Sequence, residues 1–124
     1  MAKGLSATQR TLKALRQMGR RCDIVERFNP YVGQHGIRQD LFNIIDLIAL
    51  DPERGIVGVQ CTTGNCYSDH WKKLTVDHAQ ESYDWVECGG ILELWAWRKI
   101  KVKRGGKAMI WKPRIVEITI GELI

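Results

Sequence analysis

One stretch decides the fold: Asp40-Leu-Phe-Asn-Ile-Ile-Asp46-Leu-Ile-Ala-Leu50, then Asp51-Pro-Glu-Arg-Gly55, then Ile56-Val-Gly-Val-Gln60-Cys-Thr62. Proline and glycine between two apolar runs predict a turn, so the stretch is interpreted as a β-hairpin. Asp46 lies among Ile and Leu, where burying a carboxylate without a partner or a metal is costly. Alternation along the second strand puts Gln60 and Thr62 on one face. A buried acid is therefore expected beside two polar side chains.

The length and composition indicate one globular domain, residues 1–124. The 44% hydrophobic content and the five tryptophans are typical of a packed core and exclude a disordered chain. We find no apolar run near the roughly 20 residues that a membrane span needs, and no signal peptide behind Met1. The expectation is a soluble cytoplasmic protein with no membrane partner.

The four cysteines form no CxxC pair, and a spacing of Cys61-x4-Cys66 is unusual for zinc. They are interpreted as reduced thiols. The alternative is a structural zinc site that uses Cys61, Cys66, His70 and a fourth ligand.

Basic residues are concentrated at the two ends of a chain whose formal net charge is +5. Residues 1–21 and 98–114 contain 14 of the 19 lysines and arginines, and neither segment contains an acid. Two basic surfaces around an acidic centre suit a polyanion such as DNA, although basic residues can also merely solvate a surface. The residues predicted to contact DNA are Arg10, Lys13, Lys101, Lys103 and Arg104 in these segments, together with Arg38 and Lys73 from the middle of the chain.

Hydrophobic periodicity predicts a first helix over residues 6–18, with Gly19 as its end. A strand over Cys22–Phe28 follows, in which Glu26 shares a face with apolar residues. Glu26 is either a second acid directed toward the site or an edge-strand glutamate paired with Arg27 or Arg38.

After the hairpin, two helices and two strands are predicted. Ser68 is the cap candidate of the first helix, and Asp77 with Gln80 is interpreted as a capping box that opens the second. The strands cover residues 91–100 and 109–120. The order of elements predicts an α/β sandwich of about five strands with helices on its faces.

This layout, with Asp40-Leu-Phe-Asn-Ile-Ile-Asp46 on one strand and Val57-Gly-Val-Gln60-Cys-Thr62 on the next, resembles the PD-(D/E)xK nuclease superfamily, and in particular its small Holliday-junction-resolvase-like and phage-encoded members. The resemblance implies a restriction-endonuclease-like α/β/α sandwich with a mixed sheet. It also implies a Mg²⁺- or Mn²⁺-dependent endonuclease that acts on branched or duplex DNA as a homodimer.

The resemblance assigns Asp46 as the metal-binding aspartate. Gln60 takes the place of the second acid and Thr62 that of the lysine, so two of the three signature side chains depart from the motif. The remaining assignments are the Cys61 carbonyl as a further ligand, Lys72 or Lys73 as the replacement lysine with Lys72 preferred, and Glu26 or Asp40 as a second carboxylate. Asp40 can equally pair with Arg38.

Two other functions remain open at this stage. A nuclease-like fold without metal chemistry, serving as a DNA- or protein-binding module, accounts directly for Gln60 and Thr62. An RNA-binding protein that stacks bases on Trp95, Trp97 and Trp111 is the third, although tryptophans on strands usually pack a core.

Overall fold

The first helix is confirmed by a computed structural model of the chain, which describes residues 4–123. Helix α1 spans Ala7–Gln17. Ser6 caps it by accepting a hydrogen bond from the backbone of Gln9, whose side chain in turn accepts from the Ser6 N–H. The helix ends at Gly19, whose φ of +79° is left-handed and suits glycine.

Seven strands and two further α-helices follow. The strands are β1 (Cys22–Ile24), β2 (Arg27–Asn29), β3 (Ile37–Gln39), β4 (Leu47–Asp51), β5 (Gly55–Thr63), β6 (Ile91–Lys101) and β7 (Met109–Glu117). The helices are α2 (Tyr67–Lys72) and α3 (Ala79–Glu87), with a π-helical turn at Lys73–Asp77 between them. Short 3₁₀ turns cover Gly64–Cys66 and Ile120–Glu122.

Five of the strands form one mixed sheet in the order β1-β4-β5-β6-β7. Strands β5 and β6 are parallel, and the other neighbours are antiparallel. The segment from α2 to α3 connects the parallel pair, since parallel strands need a long crossover. Strands β2 and β3 form a separate two-stranded hairpin. The predicted α/β fold with a five-stranded mixed sheet is confirmed.

A hydrophobic core lies on each face of the sheet. Leu15 of α1 packs with Val59, Trp95 and their neighbours on one face. On the other face, Leu74 packs with Leu94 and a second set of buried residues. No helix within residues 4–123 is both long and apolar enough to cross a membrane.

The predicted strand through Asp46 is wrong in its first half. Strand β4 begins at Leu47, and residues 41–45 form a tight turn in which Phe42 and Asn43 have φ of +53° and +64°. Ile44 and Ile45 are fully buried in this turn, where they pack in the same core as Leu74. The apolar run is therefore buried as predicted, but only part of it is extended.

The predicted strand over Cys22–Phe28 is interrupted, because the backbone N–H groups of Val25 and Glu26 turn to the carbonyl of Asp46. Ser68 is not a helix cap, since it lies inside α2 behind the 3₁₀ turn at Gly64–Cys66.

The predicted capping box of Asp77 and Gln80 is absent from the structure. Asp77 ends the π-helical turn, in which the His78 N–H donates to the Lys73 carbonyl. The side chain of Gln80 donates to Asp84 instead of reaching back to Asp77.

Candidate functional site

Three carboxylates meet where β1, β3 and β4 come together. The Asp46 N–H donates to the Val59 carbonyl of β5 at 2.9 Å, and the Asp46 carbonyl accepts from Val25 and Glu26. These bonds fix Asp46 directly before β4, next to β5, and bring Glu26 beside it. The turn at residues 41–45 then places Asp40 next to both.

We call Glu26, Asp40 and Asp46 the acid cluster. One carboxylate oxygen from each lies within 4.8 Å of the other two. Opposite oxygens of an octahedral Mg²⁺ site are roughly 4.2 Å apart, because each Mg–O distance is about 2.1 Å. The spacing and the oxygen chemistry of the cluster therefore fit a hard divalent cation.

Gln60 is fully buried beneath the acid cluster, but the structure corrects its assignment as a metal ligand. Its Nε2 donates to Asp46 Oδ2 and Asp40 Oδ2, each at 3.1 Å, and to the Ile44 carbonyl at 2.9 Å. Its Oε1 accepts from Lys73. Rotating the amide would set Oε1 against the Ile44 carbonyl, so the nitrogen faces the acids. Gln60 thus donates hydrogen bonds to the two aspartates and does not act as a further metal ligand beside them.

Lys73, and not the preferred Lys72, extends into the site. Its Nζ donates to Asp40 Oδ2 at 2.6 Å and to Gln60 Oε1 at 2.9 Å, while Lys72 is exposed. The Lys73 side chain keeps 30% exposure in this position, so its predicted contact with DNA stays a prediction. Lys73 is the first residue of the π-helical turn, and such turns are frequent at functional sites.

Cys61 contributes through its backbone. Its N–H donates to Asp46 Oδ2 at 2.8 Å. The N–H and C=O of one strand residue point to the same side of the strand, so the Cys61 carbonyl also faces β4 and Asp46. The Thr62 side chain lies on the same face of β5 as Gln60. Among residues 4–123, it makes no hydrogen bond to the acid cluster. The Thr62 side chain thus does not fill the lysine position assigned to it.

The two interpretations of Glu26 both hold. Glu26 is part of the acid cluster, and it also accepts a hydrogen bond from Arg38 at 3.1 Å. The Arg38 side chain is 76% exposed, whereas that of Glu26 is 13% exposed. Arg38 therefore closes the solvent side of the cluster, and Asp40 pairs with Lys73 instead of Arg38.

No family model, no curated protein and no solved structure matches this chain.

The two buried aspartates of the acid cluster titrate in opposite directions. Burial raises the pKa of Asp46 to about 9, and the hydrogen bond and charge of Asp40 add to the rise. Burial also opposes ionisation of Asp40, but hydrogen bonds from Asp46, Lys73 and Gln60 hold its pKa below the usual range. At neutral pH the metal-free pair of aspartates therefore holds one proton between them.

This arrangement predicts a pH dependence of stability in EDTA. The pKa of Asp46 is higher in the folded protein than in the unfolded chain, so its contribution is fully present below about pH 4 and is lost as the pH rises toward 9. We expect the difference in free energy of unfolding between Asp46→Asn and wild type to grow in favour of the variant across that range. Urea titrations at several pH values measure it. A difference independent of pH would contradict the protonated Asp46.

The zinc alternative is not supported. Cys61 is buried with the α1-side core, on the opposite face of β5 from Gln60. His70 Nδ1 lies 3.0 Å from the Cys66 carbonyl instead of approaching a thiolate. Among residues 4–123, the acid cluster is the group of such side chains close enough to hold a metal.

The remaining basic residues predicted to contact DNA lie on other surfaces. Arg10 stacks on Trp111, with its guanidinium carbon 4.1 Å from the ring centre, and Lys13 is exposed on α1. Lys101, Lys103 and Arg104 are exposed at the far end of the β6–β7 hairpin. Lys101 is seven residues beyond Leu94, which pairs with Gln60, so this group is roughly 20 Å along the strand from the site.

A second buried polar cluster was not predicted. Arg54 in the β4–β5 turn forms ion pairs with Asp51, Glu93 and Glu117 at 2.8, 2.9 and 3.4 Å. Its carboxylates have a cation to neutralise them, and the pKa of Asp51 is lowered by the hydrogen bond from Arg54. This cluster therefore joins the strands, and its three carboxylates share one guanidinium, whereas in the acid cluster Asp46 has no ion pair among residues 4–123.

Proposed function

We propose that this protein is a divalent-metal-dependent DNA endonuclease of the PD-(D/E)xK type. The observation that carries the proposal is the acid cluster itself, three carboxylates within 4.8 Å of one another with the Lys73 ammonium 2.6 Å from one of them. Phosphodiester hydrolysis needs carboxylates to hold a cation and a positive group beside the reacting phosphate. The cluster brings both together in one place.

Glu26, Asp40 and Asp46 are the residues that would hold Mg²⁺ or Mn²⁺. A divalent ion supplies a Lewis acid at the scissile phosphate. Binding requires Asp46 to give up its proton, because ligating carboxylates are ionised. The Cys61 N–H and the Gln60 amide then hold the Asp46 carboxylate in a fixed orientation.

Lys73 has the role that the family gives to its motif lysine. Its ammonium is held between Asp40 and Gln60, where it can stabilise negative charge that develops on the phosphate or orient the attacking water. Gln60 occupies the position of the second acid but acts as a clamp on Asp40, Asp46 and Lys73. The missing acid is supplied by Asp40 and Glu26.

The topology supports the restriction-endonuclease-like sandwich as the proposed fold family. A helix packs on one face of a mixed sheet, an aspartate precedes a hairpin strand, and the next strand continues through helices into a parallel strand. This is the same order of elements that resembles the PD-(D/E)xK superfamily. Helices on both faces give the layers of an α/β/α sandwich.

DNA is the proposed substrate because of the charge around the site. The β2–β3 hairpin starts directly after Glu26 and ends directly before Asp40, and residues 27–39 contain two arginines and no acid. Tyr31 at its tip is 93% exposed. Two-stranded β-ribbons fit the major groove of duplex DNA. A polyanion held by this hairpin would be next to the acid cluster.

More specifically, the proposed enzyme is a homodimer that cuts branched DNA, because two symmetric sites would cut two strands. The four cysteines are free thiols in the structure, which suits the reducing cytoplasm where DNA is handled.

The second candidate is a binding module without metal chemistry, and one observation favours it. Gln60 and the Cys61 N–H satisfy the Asp46 carboxyl with hydrogen bonds, and Lys73 neutralises Asp40. A buried aspartate can therefore persist here without a cation. This candidate predicts salt-sensitive DNA binding without cleavage.

Cleavage assays separate the two candidates. Four-way-junction, flap and linear duplex DNA are each incubated with the protein in Mg²⁺, Mn²⁺ or EDTA. The nuclease proposal expects products in a divalent ion and none in EDTA. Tight binding with intact DNA in every metal would overturn it and leave the binding module.

A further inference from the structure

Phe42 has a backbone conformation that its residue type disfavours. Its φ of +53° is in the left-handed region, where a bulky side chain is an outlier and the strain is on the order of 1–3 kcal/mol. Phe42 is 57% exposed, so burial in the core does not account for the strain. Glycine or asparagine would suit this position of the turn better. An aromatic residue therefore occupies a strained backbone position two residues after Asp40.

Two cavities flank Phe42. One, of about 500 Å³, is lined by Arg27, Asp40, Phe42 and their neighbours. The other, of about 310 Å³, is lined by Phe42, Trp85 and Cys88 together with Glu81 and Asp84. Both volumes fall in the range of about 300–1,000 Å³ that small-ligand sites occupy. The Phe42 ring thus lies between the acid cluster and a mostly apolar pocket.

The second wall of the apolar pocket is fixed. The Trp85 ring centre is 6.5 Å from that of Phe42, at an interplanar angle of 49°. Trp85 Nε1 donates to the Ile91 carbonyl at 2.8 Å, which anchors the indole to the start of β6. The pocket therefore has one rigid aromatic wall and one exposed aromatic wall.

The larger cavity is lined by a cation, Arg27, as well as by Asp40, whereas the charged residues of the apolar pocket are both acids. Arg27 is exposed and makes no ion pair with any carboxylate among residues 4–123. On the Trp85 side, Glu81 and Asp84 would repel a phosphate, but their spare acceptor oxygens can receive N–H groups. A ligand with an anionic end and a flat aromatic end that donates N–H groups matches this polarity. A nucleotide is such a ligand.

We infer that Phe42 is a stacking platform for an unpaired nucleobase next to the phosphate bound at the acid cluster. The base lies against Phe42 and toward Trp85, and its phosphate is directed to Arg27. This inference rests on the proposed nuclease function and deepens it, because it names the substrate as DNA with an unstacked base beside the cut. Flaps provide such a base, whereas a fully paired junction or an intact duplex must first release it.

Binding in Mg²⁺ to a flap whose linkages near the branch are non-hydrolysable tests this inference without any need for cleavage. The probe is a flap oligonucleotide with 2-aminopurine at the branch point, whose fluorescence falls when the base stacks on an aromatic ring. Wild type and Phe42→Trp are expected to quench it. Phe42→Asn is expected to bind about five- to 150-fold more weakly without quenching, since base–aromatic stacking contributes about 1–3 kcal/mol. An oligonucleotide with 2-aminopurine remote from the branch is the control.

Stability distinguishes a binding role from a structural one. Phe42→Asn relieves the left-handed strain, so its Tm is expected to equal or exceed that of wild type while its affinity falls. Phe42→Leu keeps an apolar side chain without a π-face and is expected to lose quenching as well. Unchanged affinity and quenching in either variant, or a loss only in proportion to a lower Tm, would overturn the inference. Cleavage that persists unchanged in Phe42→Asn would overturn it while leaving the nuclease proposal in place.

Discussion

Asp46→Asn is expected to reduce divalent-dependent DNA cleavage by on the order of 10³-fold or more. Asparagine keeps the shape of the side chain and the bond from the Cys61 N–H, but it removes the carboxylate that accepts hydrogen bonds from both Gln60 and Cys61 of β5. Losing several kcal/mol of charge stabilisation at the phosphate corresponds to this factor. Initial rates of flap or junction cleavage at saturating Mg²⁺ measure the effect.

Asp51→Asn is the matched control for this substitution. Asp51 is 6% exposed and Asp46 is 5% exposed, and they stand at opposite ends of β4. Asp51 bonds Arg54 and Arg20 in the second polar cluster, so its loss is expected to lower the free energy of unfolding and leave cleavage per folded molecule unchanged. Wild-type cleavage by Asp46→Asn would refute the proposed centre, whatever the control does.

Lys73→Met is expected to lower the cleavage rate by on the order of 10²–10³-fold, the loss typical of removing one donor to a developing anion. Methionine keeps most of the aliphatic length of lysine and deletes the ammonium that bonds Asp40 and Gln60. Because Asp40 would lose a competing cation, metal binding is expected not to weaken while the rate falls. Titrating Mg²⁺ in the cleavage assay separates the two effects.

Lys72→Met is the control that the chain itself offers. The two lysines are adjacent and have the same charge, but Lys72 is exposed. Its substitution is expected to change DNA affinity slightly, through lost surface charge, and to leave the maximal rate unchanged. Equal losses of rate in both variants would mean that the lysine acts by general electrostatics and not by its position.

The sequence predicts the regular elements well because their signals are local. Apolar residues at helical spacing and Gly19 mark α1, and Pro52 and Gly55 lie in the turn that joins β4 to β5. The alternation that places Gln60 and Thr62 on one face is also confirmed, since both are buried away from the α1-side core.

The details of the site depend on tertiary packing, which periodicity does not report. An apolar run such as Ile44-Ile45 can be buried in a turn as well as in a strand. The hydrophobic pattern therefore does not reveal that Phe42 and Asn43 have left-handed backbone conformations. Adjacent residues on a helix point about 100° apart. The choice between Lys72 and Lys73 therefore depended on how the helix is rotated, which the burial of Leu74 fixes.

The ends of the sheet limit how copies of this protein can associate. Edge strands tend to recruit further strands and so lead to fibres or precipitates, unless they are short or carry proline and cations. Strand β1 is only three residues long. Strand β7 has Pro113 at its centre between Lys112 and Arg114, and a proline in an edge strand is found where its missing N–H would face outward. Growth of the sheet from one molecule to the next is thus discouraged at both edges, and a specific pair of copies must meet through side chains on its faces or helices.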